Sequence, residues 1–225
     1  MTVCMFLTVH DSLPAQNDQH WLDYAKDIPG VDQVLLHTPG KASDPYLHEA
    51  EHPAAVLQLY FAELELLEQQ ACASGALHGL VDALRLNAPD GQLITQQAML
   101  VRRYACAEGT GQRDGSRCSY LVAYHGQPLD YSAWLAHYTA HHIPLMKRLP
   151  ALRELELYTP LSWASTLVAP RSHAVQRNKV VFDSPEALTA ALNSPLRHEM
   201  RADFLAFPPF EGNNQHFPMI SRRLR

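Results

Sequence analysis

Among the thirteen histidines of this 225-residue chain, three fall between positions 137 and 142, within Trp134-Leu-Ala-His-Tyr138-Thr-Ala-His-His142-Ile-Pro144. Imidazole titrates near neutrality, so a histidine can take a proton from a substrate and return it without extreme tuning. His142 follows Tyr138 by four residues and Trp134 by eight, which on a helix puts all three on one face. An apolar cleft there would disfavour the imidazolium and keep the base form available. His142 is therefore the candidate general base, with Tyr138 or Tyr158 as a hydrogen-bonding partner and Trp134 as a stacking wall. A core or capping histidine is the competing reading of His142, and a sheet-rim tyrosine that of Tyr158. His125, near the end of a short strand, is placed to reach the mouth of the same cleft. Arginines come in adjacent pairs, Arg102-Arg103 and Arg222-Arg223. In a strand one of each pair points inward, and an inward Arg222 would grip a substrate carboxylate with two parallel N–H bonds. His137 and His141 have the spacing of two metal ligands on one helical face. No HExxH arrangement and no third ligand accompanies them, so they read as a solvated face and no metal is expected.

The elements that must position these residues occur twice. Pro29, Pro39 and Phe61 recur as Pro150, Pro160 and Phe182 at a constant spacing of 121 residues. Met99, Arg102 and Arg103 recur 120 residues later, Trp21 at 113 and Cys4 at 114. Ordered matches of this kind point to an internal duplication. Short β-branched and aromatic runs read as strands at 3–9, 33–37, 56–61 and 97–104, and again at 120–124, 154–158, 179–182 and 216–223. Helices are expected at 18–26, 63–73, 131–148 and 186–193. Asp130 or Ser132 is placed to cap the third, and Pro185 sits at the first position of the fourth, where its missing N–H costs nothing. The order βαββαβ, twice, describes two tandem ferredoxin-like repeats. They span 1–108 and 118–225, with a Gly-rich polar boundary at 108–117.

Alternation within the strands sends Leu155, Leu157, Val180 and Phe182 to one face, and Val34, Leu36, Leu59 and Phe61 to its counterpart. The opposite face is mixed: Glu154, Glu156, Tyr158 and Lys179, against Gln33, His37, Gln58 and Tyr60. With helices on the apolar face, two such sheets are expected to meet through their polar faces. The glutamates then pair with Lys179 across strands.

Composition excludes several classes. With 47% hydrophobic and 18% charged residues the chain can bury a core and is not disordered. No apolar run reaches the eighteen residues of a membrane span, and the N-terminus lacks a signal-peptide pattern. A net charge of −5 argues against nucleic acid as a partner. Four widely spaced cysteines read as reduced thiols of a cytoplasmic protein. No nucleotide, flavin or serine-hydrolase motif is present, so the expected activity involves no cofactor.

The segment from Trp134 to Pro150, preceded by a strand and followed by Phe182-Asp-Ser-Pro-Glu-Ala-Leu, resembles the EthD (ethyl tert-butyl ether degradation) family of the dimeric α+β barrel superfamily. Trp134, Tyr138, His142, Pro144 and Leu145 look like that family's helix motif, and the resemblance covers roughly residues 118–223. It implies an intramolecular α+β barrel, where family members usually build theirs from two chains. The first half has eight residues fewer between its Trp and Pro, and the loss removes the counterpart of His142. That half is then a structural partner. The activity implied is acid–base chemistry on a small hydrophobic or aromatic metabolite: isomerisation, elimination or cofactor-independent oxygenation. A non-catalytic binder serving a degradation pathway is the alternative of a different class, and a heme-binding barrel with a helical histidine is a third. Exposed outer strands make a homodimer of the fused chain plausible.

Overall fold

The structure, a computed structural model, describes residues 1–11, 19–46, 52–85, 93–106 and 115–225. Most of the expected boundary at 108–117, and Asp18 at the start of the first expected helix, lie outside the described residues.

Eight antiparallel strands close into one barrel in the order β1-β3-β2-β8-β5-β7-β6-β4. They are β1 Val3–Val9, β2 Val31–Pro39, β3 Ala55–Phe61, β4 Ile94–Tyr104, β5 Arg117–Pro128, β6 Glu154–Pro160, β7 Ala174–Phe182 and β8 Phe210–Arg223. Two seams join the halves: β2 to β8, where Leu36 faces Arg222, and β4 to β6, where Arg102 faces Leu157. Closure leaves no free sheet edge among these strands.

Helices lie outside the barrel. α1 (Gln19–Lys26), α2 (Leu64–Ala71) and α3 (Ala76–Arg85) pack on the first four strands; α4 (Tyr131–His137), α5 (Ile143–Met146), α6 (Pro185–Leu192) and α7 (Leu196–Leu205) pack on the rest. Alternation decides which face they cover. Val34, Leu36, Leu59 and Phe61 belong to the apolar cluster under α1–α3, and Leu155, Leu157, Val180 and Phe182 to the cluster under α4–α7. The residues that alternate with these turn inward and form a third cluster that includes Cys4, Phe6, Leu35, Tyr60, Tyr158 and Met219.

Polar residues on the inner face must be satisfied there, because an unpaired buried polar group costs about 1–3 kcal/mol. Lys179 Nζ lies 2.9 Å from Glu156 Oε2 and donates to the Tyr60 hydroxyl at 2.9 Å. Tyr60 and Tyr158 both donate to the same carboxylate oxygen, and Arg103 Nε donates to its other oxygen at 2.8 Å. Gln58 Nε2 reaches Tyr158 at 2.9 Å, and His37 Nε2 contacts Gln58 Oε1 at 2.8 Å. Burial by itself would raise the Glu156 pKa; Lys179 and the hydroxyl bonds outweigh it and bring it to about 2. The expected Glu–Lys pairing across strands is present, in the barrel interior.

Three departures from the sequence-based elements matter for the site. The helix expected over 131–148 is interrupted by a π turn, Tyr138–His142, in which Ile143 N–H bonds back to Tyr138 O. Pro144 follows within the first turn of α5; it has no N–H to continue an α-helical ladder, and one-turn π insertions are frequent at functional sites. Second, α3 and α7 were not expected at all. Third, β8 begins at Phe210, six residues before the strand expected over 216–223, and its first residues pair with the extended end of β5, Gly126 opposite Gly212. Both glycines have positive φ, +144° and +159°, and a Cβ on either would meet the facing backbone at 2.1 Å. Only glycine permits so close a crossing of backbones.

Candidate functional site

The helices and sheet of the second half do not meet everywhere. Between them a narrow cleft of about 60 Å³ is lined by His142, Asn178, Arg197, Asn214 and His216 among apolar side chains such as Val180. His142 reaches it from the π turn. Its Nδ1 lies 2.7 Å from Asp203 Oδ2 on α7, and His137 Nε2 lies 3.1 Å from Asp203 Oδ1. A carboxylate only accepts, so Nδ1 of His142 carries the proton and donates it. Nε2 keeps its lone pair and has no protein partner among the described residues. Burial lowers the His142 pKa below its ordinary value, and the hydrogen bond and charge of Asp203 offset part of that. The ring is therefore a neutral base with fixed tautomer and orientation, the arrangement needed to take a proton.

A cation lines the same cleft. Arg197, on α7, donates from Nε and Nη2 to Asp44 Oδ2 at 3.1 and 2.9 Å, and Tyr120 donates to that oxygen at 3.2 Å. Asp44 comes from the first half of the chain, in the segment after β2. Beside it the Tyr46 hydroxyl hydrogen-bonds His198, and the Arg197 and Arg201 guanidiniums lie over the Tyr46 ring at 5.2 and 5.7 Å. His216 is held neutral: burial, then the nearby Arg197 charge, bring its pKa to about 3. Asn178 donates to the Tyr138 hydroxyl at 2.7 Å, while its buried Oδ1 has no partner. That oxygen is an unused acceptor on the cleft wall.

The remaining sequence candidates divide in three ways. Trp134 and Tyr138 are fully buried behind His142 (1% and 0% exposed). Trp134 packs on Tyr124, Phe207 and Phe210 with ring centroids 5.3–5.7 Å apart. Neither lines the cleft: Tyr138 packs on the His142 ring at 5.0 Å, and Trp134, expected as a stacking wall, lies in the aromatic cluster behind it. Tyr158 lies on the far side of the sheet within the Glu156–Lys179 network, sealed from both cavities; the parity that turned Glu156 inward turned Tyr158 with it. It is not placed to meet a substrate in the His142 cleft. His125 is likewise on the inner face and lines a separate cavity inside the barrel, so it does not share the cleft. Arg222 has outward parity near the end of β8 and is exposed to solvent, away from both cavities. Its neighbour Arg223 is exposed too.

Sequence reasoning missed Asp203, Arg197, Asp44 and His216. Asp203 and Arg197 lie on α7, whose segment Leu-Arg-His-Glu-Met-Arg-Ala-Asp-Phe-Leu buries only Leu196 and Met200, too weak a periodic signal to announce a helix. Asp44 accepts the Tyr46 N–H two residues on, but Arg197 and Tyr120, which it meets at the cleft, are 153 and 76 residues away. Among the described residues no group of three or more His, Cys, Asp or Glu is arranged to hold a metal ion; His137 and His141 stack on each other at 4.6 Å, and His137 is turned to Asp203.

No protein-family profile and no curated protein matches the chain. Solved structures do. An anthrone oxidase-like protein superposes with a TM-score of 0.63 at 12% identity, covering 99% of this chain and 93% of that one. A chlorite dismutase from Candidatus Nitrospira defluvii gives 0.55 at 12% identity, covering 97% and 90%. What the chain shares with these two structures is the fold, a closed antiparallel barrel with helices packed outside it. An ethyl tert-butyl ether degradation (EthD) family protein from Bacillus halodurans matches 44% of this chain and 96% of its own at 21% identity, with a TM-score of 0.35, too low to bear on the fold. At these identities the likeness concerns the barrel alone. Among the described residues no helix is long and apolar enough to cross a membrane.

Proposed function

We propose that the His142 cleft carries out proton transfer on a small, largely apolar organic molecule bearing an enolisable carbonyl or phenol. The observation that carries this is the His142–Asp203 pair opening onto a largely apolar cleft whose wall also holds Arg197. His142 Nε2 takes a proton from an activated carbon or hydroxyl. The electron pair left behind moves onto the substrate oxygen, where the Arg197 guanidinium stabilises the developing oxyanion; such preorganised charge acts strongly in a water-poor site. Asn178 Oδ1 accepts a hydrogen bond from a substrate hydroxyl. Return of the proton from His142 to a different atom completes an isomerisation with no net change in charge or electrons. Loss of a neighbouring leaving group instead gives an elimination. The anthrone oxidase-like neighbour supports a phenolic or polyketide-like substrate, since deprotonation is the step this site provides.

The strand orders β4-β1-β3-β2 and β8-β5-β7-β6 within the barrel support a chain made of two ferredoxin-like repeats, 1–108 and 118–225. The second resembles the EthD family and holds the base. The first lends Asp44 and Tyr46.

The test is solvent exchange. A panel of enolisable lactones and phenols is incubated in D2O with the protein, and loss of the activated C–H signal is followed by proton NMR. His142→Ala is expected to cut the enzyme-dependent rate at least a hundredfold while the fold persists by circular dichroism, and Arg197→Gln to cut it tenfold or more. Exchange that survives both substitutions refutes the assignment. Ligand binding with no catalysed exchange, retained in His142→Gln, establishes the binder reading instead.

A further inference from the structure

The interior of the barrel holds a second cavity, independent of the His142 cleft and separated from it by the sheet. It measures about 330 Å³, and Phe6, His10, Asp11, Ser172, Arg177 and Phe217 are among the residues that line it. Arg177, on β7, points inward beneath the cavity. It donates from Nε to Gln97 Oε1 at 3.1 Å and from Nη2 to Ser172 Oγ at 3.1 Å, and its guanidinium lies 5.0 Å over the Phe6 ring. No carboxylate pairs with it among the described residues. Lys179, the fully buried cation of the interior, does have one: it pairs with Glu156. Asp11 lines the same cavity but its Oδ2 accepts the Leu93 N–H at 3.1 Å.

A half-buried charge held only by neutral groups is under-compensated, and Gln97 and Ser172 leave part of the Arg177 guanidinium's five N–H groups unspent. Asp11 is the one carboxylate in the lining among the described residues, and it forms no ion pair with Arg177. His10 and His125 are held toward their neutral forms, by burial first and then, for His125, by the Arg177 charge itself. His10 contacts Thr95 Oγ1 at 3.0 Å, and the buried Nδ1 of His52 has no partner. The remainder of the wall is apolar and aromatic: Phe6, Val56, Leu121, Ala123 and Phe217. We infer that the barrel interior is a binding site for a small organic carboxylate, its carboxylate on Arg177 and Ser172 and its apolar body between Phe6 and Phe217. A planar carboxylate matches the two-pronged guanidinium better than a tetrahedral anion, and the apolar wall selects an organic acid over an inorganic one.

The inference does not rest on the proton-transfer reading, and calorimetry separates the two. Benzoate, benzamide and inorganic phosphate are titrated into the full chain. Benzoate is expected to bind at least tenfold more tightly than benzamide, with phosphate unable to displace it at equal concentration. Arg177→Gln should weaken benzoate tenfold or more with little change for benzamide, and His142→Ala should leave benzoate binding unchanged. Should Arg177→Gln fail to fold, Ala123→Leu, which fills the cavity from an inward position on β5, decides instead and is expected to abolish binding. The proposal is overturned if benzoate binds no better than benzamide, if it is displaced equally by phosphate, if Arg177→Gln or Ala123→Leu leaves its affinity intact, or if His142→Ala removes it.

Discussion

Replacing Asp203 by Asn tests the site at its least visible member. In the native protein one carboxylate serves two imidazoles, at 2.7 Å to His142 and 3.1 Å to His137, and its side chain is only 12% exposed, so solvent screens it little. Asparagine presents one acceptor and one donor. It can hold one ring N–H through Oδ1, but its amide N–H then faces the other ring. One charge-assisted bond of about 1.5–3 kcal/mol is lost. For a chain of this size each kcal/mol moves the unfolding midpoint by about 2–4 °C, so a drop of about 3–12 °C is expected. The chemistry should suffer alongside stability. Asp203 raises a His142 pKa that burial lowers, so its loss moves the His142 titration further down. Where the amide N–H faces Nδ1, the ring must switch tautomer and Nε2 ceases to be a base. Loss of orientation of this size corresponds to about 10–150-fold in rate. The assay is a long-range proton–nitrogen NMR titration of the histidine rings, with His142 assigned from the spectrum of His142→Gln, followed by thermal unfolding. An unchanged His142 tautomer and pKa together with an unchanged midpoint would falsify the claim that Asp203 fixes the base.

Removing the cation of the interior network, by Lys179→Met, leaves Glu156 buried with only Arg103 and hydroxyls. A loss of about 3–5 kcal/mol is expected, read as a lower urea midpoint at constant slope; a change under 1 kcal/mol would show the pair to be dispensable. His37 and His216 both have folded pKa values of about 3 against an ordinary 6.5, because burial disfavours their charged forms. Above pH 6.5 they are neutral whether folded or not. As pH falls below 6.5 the unfolded chain takes up the protons first, so stability declines toward pH 3, by at most ~5 kcal/mol per ring. His216→Asn should flatten the pH dependence of unfolding free energy between pH 6 and 4 by up to about 1.4 kcal/mol per pH unit; identical slopes in variant and wild type would count against a buried neutral ring. Gly126→Ala is expected to destabilise the β5–β8 crossing by more than the ~1 kcal/mol of an ordinary glycine replacement, measured by thermal unfolding, because its Cβ would meet the Glu211 carbonyl oxygen at 2.1 Å.

The period-two alternation of the strands and the aromatic spacing around His142 were already decided in the sequence, since both express local geometry: a strand must send successive side chains to opposite faces, and a helix must bring every fourth residue round to the same side. That is why Leu155, Leu157, Val180 and Phe182 lie under the helices as their spacing demands, and why His142 faces the sheet beside Tyr138. Closure of the barrel was not local. It turned the polar faces of two sheets into one interior, so Tyr158 entered a charge network instead of a rim, His125 opened into the barrel instead of the cleft, and Arg222 fell on the outside by parity. The partners of the base were beyond any local pattern. Asp203 stands 61 residues from His142, and Asp44 stands 153 from Arg197; no periodicity links residues so far apart. Sequence by itself put His142 on one helical face with Tyr138. Packing of α7 against the π turn supplied the carboxylate that His142 donates to, and packing of the first half against the second supplied the carboxylate that holds Arg197, because only a folded chain brings those groups within hydrogen-bonding distance.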